Sequence, residues 1–126
     1  MPFSRITTNF ILENESRFID TFHETMMRVL KIPDYDRFVL LEQKSEGFYQ
    51  PTNTSGKYIV IEIDMFSGRT IATKRQLYKD LVVLANSVGI VSSNVTIILR
   101  DIDKENWGIR GGQPASEVEL GFKTDI

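Results

Sequence analysis

The sequence predicts a small α/β (α+β) domain: tandem β-α-β units forming a four-stranded sheet with two helices on one face. Three observations carry this. Four short runs are rich in β-branched and aromatic residues. Two longer stretches between them repeat their apolar residues at steps of three and four. The order strand–helix–strand occurs twice, and a shift of about 59 superposes Phe22 on Leu81, Met26 on Ala85 and Val29 on Val88. This order is shared by a ferredoxin-like fold and by a pair of parallel βαβ units, and both stay open at this level.

Each element has its own justification. Pro2 to Thr8 alternates weakly, with Phe3 and Ile6 apolar. From about Glu15 to Lys31, Phe18, Ile19, Phe22, Met26, Val29 and Leu30 define one helical face. Phe38 to Leu41 is a short apolar run. Tyr58 to Met65 is the strongest strand signal, with Ile59, Ile61, Ile63 and Met65 on one face and Glu62 and Asp64 on the less buried one. The second helix is predicted from about Thr73 to Val88 through Leu77, Tyr78, Leu81, Leu84 and Ala85. Thr73 and Gln76 have capping-box spacing at its start, and Gly89 is a natural stop. Val95 to Ile102 is the last strand.

The chain reads as a single domain over 1–126, with pseudo-repeat halves at about 2–44 and 57–102. Between the halves, residues 45–57 are rich in Gly, Pro, Asn, Thr and Ser, the composition of a long and functional loop. Residues 103–126 form a polar, glycine-rich arm with the one tryptophan, expected to be ordered and to pack on a neighbouring subunit.

Composition excludes several classes of function. With 126 residues, about 68–70% of the unfolded chain's surface can be buried, so no staple is needed. No cysteine is present, which removes disulfides, thiolate metal sites and cysteine nucleophiles, and fits a cytoplasmic location. One histidine, His23, is too few for a histidine metal site, and beside Phe22 inside the first helix it reads as structural or exposed rather than catalytic. A net charge of −2, without a basic aromatic platform, argues against nucleic acid and membrane surfaces as partners. No apolar run is long enough to span a bilayer, and the first residues lack the pattern of a secretory signal.

Three features then converge: Pro2 directly after Met1, the tandem βαβ pattern, and the run Ile32-Pro33-Asp34-Tyr35-Asp36-Arg37-Phe38. Together with Arg69 ahead of Tyr78-Lys79, and Asn106-Trp107-Gly108 near the C-terminus, they resemble the tautomerase superfamily, in particular its malonate semialdehyde decarboxylase-like branch. The resemblance spans nearly the whole chain. It implies a tautomerase-like fold assembled into homotrimers, removal of Met1 to leave Pro2 as a free N-terminus, no cofactor, and a small oxo acid or its enol as substrate.

The implied chemistry is coherent. A free N-terminal proline is a secondary amine. An α-amino group titrates at about 7.7–8.0, and burial or nearby cations lower that value. Such a group can carry a proton between carbon and oxygen near neutral pH. Arg69, between the strongest strand and a helix N-terminus, is expected to bind the substrate carboxylate. By the resemblance, Asp36 lies near the proline and orients water or a second polar group. Trp107, with Phe48 and Tyr49 of the 45–57 loop, is expected to wall the pocket. The decarboxylase pattern carries two arginines around a proline; here Ser67-Gly68-Arg69 keeps the second only, and Arg110 is a candidate replacement cation. That departure favours tautomerisation over decarboxylation. A ligand-sensing ferredoxin-like module, and a tautomerase-like protein that binds a partner without catalysis, are the alternatives.

Overall fold

The computed structural model describes residues 2–126; Met1, and with it the expectation of methionine removal, lies outside them. The chain forms β1 (Phe3–Thr8), α1 (Glu15–Leu30), β2 (Val39–Gln43), β3 (Ile59–Phe66), α2 (Ile71–Ser87) and β4 (Val95–Ile102). A short ribbon of β5 (Gly108–Ile109) and β6 (Gln113–Pro114) follows. The main sheet has the order β2-β1-β3-β4. β1 runs parallel to β2, and β3 parallel to β4, while the two central strands are antiparallel with Ile6 opposite Ile61. Two parallel βαβ units therefore meet back to back, and the ferredoxin-like alternative is excluded by strand order and direction.

Both helices lie on one face. The alternation in β3 aims Ile59, Ile61, Ile63 and Met65 at them, all at most 1% exposed. Phe18, Phe22 and Met26 of α1 and Leu77, Leu81 and Ala85 of α2 close over these residues into one core. The superposed residues Phe22 and Leu81, and Met26 and Ala85, are thus equivalent core positions. The other face is uncovered and carries Glu62 and Asp64, both ion-paired to Arg100 at 2.7 Å and 3.4 Å.

Helix α1 begins where the Asn14 side chain accepts from the Arg17 amide at 3.1 Å. Helix α2 starts earlier than expected. Its cap is Thr70, whose Oγ1 accepts from the Thr73 amide at 3.2 Å, so Thr73 lies inside the first turn and the Thr73–Gln76 capping box does not form. Gln76 instead donates to Asp80 one turn on. The expected stop holds: Gly89 follows the last turn with φ of 85°, where a side chain would be strained. We expect Thr70→Ala to cost about 1 kcal/mol. Gln76→Ala should change stability by less than about 0.5 kcal/mol. Urea unfolding of both variants tests this, and equal losses would return the cap to Thr73.

Candidate active site

Topology gathers the chemistry at one end of the sheet. Pro2 precedes β1, and Asp36 precedes β2, which is parallel to β1. Because β3 is antiparallel to β1, its C-terminal end, followed by Arg69, lies at that same end. β4 is parallel to β3, so Trp107 and Arg110 emerge there too.

Pro2 and Asp36 line one tightly packed crevice, too narrow to admit a water molecule, walled by Ser4, Phe22, His23, Met26, Ile32, Phe38 and Val39. Both are buried, Asp36 with 7% of its surface exposed. The cleft is pinned by the Ser4 amide donating to the Phe38 carbonyl at 3.0 Å. The Phe3 and Phe38 rings pack 4.6 Å apart above that bond. Asp36 also lines a second cavity of about 160 Å³, with Tyr35, Ile109, Arg110, Leu120 and Phe122. Asp36 is thus shared by the space at the proline and a larger one that Arg110 lines.

Arg69 is 6% exposed. Its guanidinium donates to the Phe66 carbonyl at 3.3 Å and to the Leu30 carbonyl at 3.4 Å, two long bonds, and its Nε has no hydrogen-bond partner. Burial pushes its pKa down, and the charges of Asp101 and Asp36 push it back up. The arginine therefore sits in the field of Asp36 with bonding capacity in reserve. Ser67 does not compensate for a missing second cation; its hydroxyl donates to Asp103 at 2.6 Å.

Trp107 lies edge-on to Phe66 at 5.1 Å and donates from Nε1 to the Ile102 carbonyl at 3.1 Å. It belongs to a small apolar cluster with Ile109, Ala115, Val118, Leu120 and Phe122. Within its own chain the arm packs on Phe66. The alternation of Val118, Leu120 and Phe122 with charged or small residues is the signal that marks this packing in the sequence. Arg110 stands at the rim with φ of 50° and donates to the Glu119 carbonyl at 3.1 Å.

Tyr49 and the 45–57 loop are not brought to this group. β2 leads away from the Pro2 end, so the loop begins at the far end of the sheet. There Asn94 holds it through the Ser55 and Lys57 carbonyls, and Asn9 accepts from the Tyr58 amide. Tyr49 is 95% exposed and Phe48 packs on Tyr58. A larger cavity, about 470 Å³, opens at that far end between Phe10, Arg17, Lys57 and Leu84, and contains none of the expected site residues. Chemistry requires convergent proton carriers and charge, so the smaller spaces around Asp36 define the candidate site. His23 is the wall residue that sequence reasoning left out of the site.

Two parallel βαβ units meeting back to back under two helices define a small α+β domain with a tautomerase-like fold. The family model described as "Tautomerase enzyme" matches residues 26–110, and the chain belongs to that family. The match contains Asp36, Arg69 and Trp107; Pro2 lies before it. The chain is 38% identical over 61 residues to the 2-hydroxymuconate tautomerase of Comamonas testosteroni, covering 48% of this chain and 92% of that one. Among solved structures, a malonate semialdehyde decarboxylase inhibited by 3-bromopropiolate is 21% identical with a TM-score of 0.71, over 89% of this chain and 92% of that one. A fused 4-OT symmetric trimer is 14% identical with a TM-score of 0.82, over 92% and 99%. These two share the fold.

Among the described residues, no group of His, Cys, Asp and Glu is arranged to hold a metal ion, and no helix is long and apolar enough to cross a membrane.

Gly68 marks how the site is sealed. Its φ is 132°, and a Cβ there would stand 2.7 Å from the Thr124 carbonyl oxygen. Thr124 and Asp125 thus lie directly on the turn that carries Arg69. Gly68→Ala is expected to loosen this segment and cost on the order of 1–3 kcal/mol. Hydrogen exchange should then rise across 118–126. Gly108→Ala, where a Cβ meets nothing closer than 3.9 Å, serves as the unaffected control.

Proposed function

We propose that this protein is a cofactor-free tautomerase that converts a small 2-oxo acid and its enol by proton transfer through Pro2, once Met1 has been removed. The observation that carries the reading is the meeting of Pro2 and Asp36 in one buried cleft, with Arg69 in the field of the same carboxylate. Kinship with a 2-hydroxymuconate tautomerase supports the substrate class.

The residues divide the work as follows. The amine of Pro2 takes a proton from the enol hydroxyl, or from carbon in the reverse direction, and returns it to the other atom. Burial favours the neutral amine, while the carboxylate of Asp36 favours the ammonium form. Asp36 orients the group being protonated. Arg69 receives the substrate carboxylate, for which its weakly engaged guanidinium retains donors. Arg110, across the adjoining cavity from Asp36, is the second cation at the rim. Trp107 contributes by fixing the apolar wall behind Phe66.

We also infer a homotrimer. The sheet face opposite the helices is uncovered and leaves Leu40 at 51% and Ile98 at 40% exposure between charged residues. A solved chain of the same fold is a symmetric trimer. The halves at about 2–44 and 57–102 are read as duplicated units of one domain, and cytoplasmic action fits the cysteine-free composition.

A decarboxylase reading draws on the shared fold, but Ser67 offers a hydroxyl engaged with Asp103 where that branch has an arginine.

The test is ketonisation of phenylenolpyruvate by Met1-free protein, with intact mass verifying processing. Pro2→Ala is expected to lower kcat/KM by about 100-fold or more. Arg69→Met is expected to lower it at least about tenfold, mainly through KM. Full activity in Pro2→Ala would overturn the mechanism. Sedimentation should give three chains per particle.

A further inference from the structure

We propose that His23 is a positioning residue for Asp36: by holding the turn at 33–36 against α1, it sets the carboxylate at the Pro2 cleft. This rests on the proton-transfer reading given above. His23 is the sole histidine of the chain and is 5% exposed. Its Nε2 lies 2.7 Å from the Asp34 carbonyl oxygen. A carbonyl has no proton to give, so Nε2 carries the hydrogen and donates. The turn itself closes by the Asp36 amide donating to the Pro33 carbonyl at 3.1 Å. The imidazole thus grips the residue two before Asp36 while its ring walls the cleft that Asp36 and Pro2 share.

A second tether isolates the effect. One turn away on α1, Asp20 pairs with Arg37 at 2.8 Å, on the other flank of Asp36. That pair is solvent-exposed, with side chains 59% and 42% accessible, whereas the His23 bond is shielded. Exposed pairs constrain weakly. A shielded bond constrains more strongly, and displacement of a catalytic group by about 1 Å can cost on the order of 100-fold in rate. The His23 bond therefore fixes the turn that carries Asp36 from the inner side.

The experiment compares three variants in Met1-free protein with phenylenolpyruvate. His23→Phe keeps a ring in the space and removes the donor. His23→Gln keeps a donor near the position of Nε2. Arg37→Ala breaks only the outer pair. We expect His23→Phe to lower kcat on the order of 10-fold with KM within about twofold, His23→Gln to restore most of it, and Arg37→Ala to leave kcat unchanged. On an Asp36→Asn background, His23→Phe should lower kcat by less than about twofold further, because residues acting as one unit are not additive. Should His23→Phe fail to fold, His23→Asn, too short to reach Asp34, takes its place.

Normal kcat in the donor-less variant, alongside an inactive Pro2→Ala, overturns the role of His23 and leaves the function standing. Equal losses in His23→Phe and His23→Gln, or a full additive loss on the Asp36→Asn background, also overturn it. Activity that is indifferent to Pro2→Ala overturns the function itself.

Discussion

The antiparallel pairing of β1 with β3 is the constraint on which everything else depends. Reversing that one strand relation while keeping β1 with β2 and β3 with β4 would send Arg69, Trp107 and Arg110 to the end opposite Pro2. With it, the start of the first unit and the finish of the second lie side by side. The register of that pairing is fixed by burial. Ile6 and Ile61, opposite one another, are 0% and 1% exposed, and a slip of one strand by one residue would turn its isoleucine toward the uncovered face.

Around that centre the site is built from short connections. Asp36 stands on a tight turn between α1 and β2, held by the helix on one side and facing two spaces. Arg69 sits between β3 and α2, on a turn covered by Thr124 and Asp125. Its guanidinium is fixed by backbone carbonyls of Phe66 and Leu30 without being saturated by them. Burial lowers its pKa, and the two aspartates work against that shift.

Much of this was legible in the sequence. The alternation in β3 and the helical steps of α1 and α2 are long enough to be unambiguous, and each buried face is as read. The start of α2 was misread because Thr70 and Thr73 are both good caps. The apolar Ile71 and Ala72 between them gave periodicity no reason to begin there. The direction of strand pairing had no sequence signal, since identical element order serves two topologies. That single gap accounts for the loop at 45–57 being assigned to the pocket: only strand direction says at which end a loop emerges. His23 reads as structural or exposed rather than catalytic, and its burial and proximity to Asp36 depend on how a turn eleven residues later folds back on α1.

The back-to-back arrangement of the two units has a further consequence. The ends of the sheet are related by inversion of the strands, so each unit has its own N-terminal edge, one at Phe3 and the other at Ile59. Under the proposed chemistry only the first edge has a free amine, because at the second the chain runs on through Tyr58, whose amide is bonded to Asn9. A duplicated scaffold thus works asymmetrically. The second edge, with the 45–57 loop and the exposed Tyr49, stands at the opposite end of its own chain from Pro2.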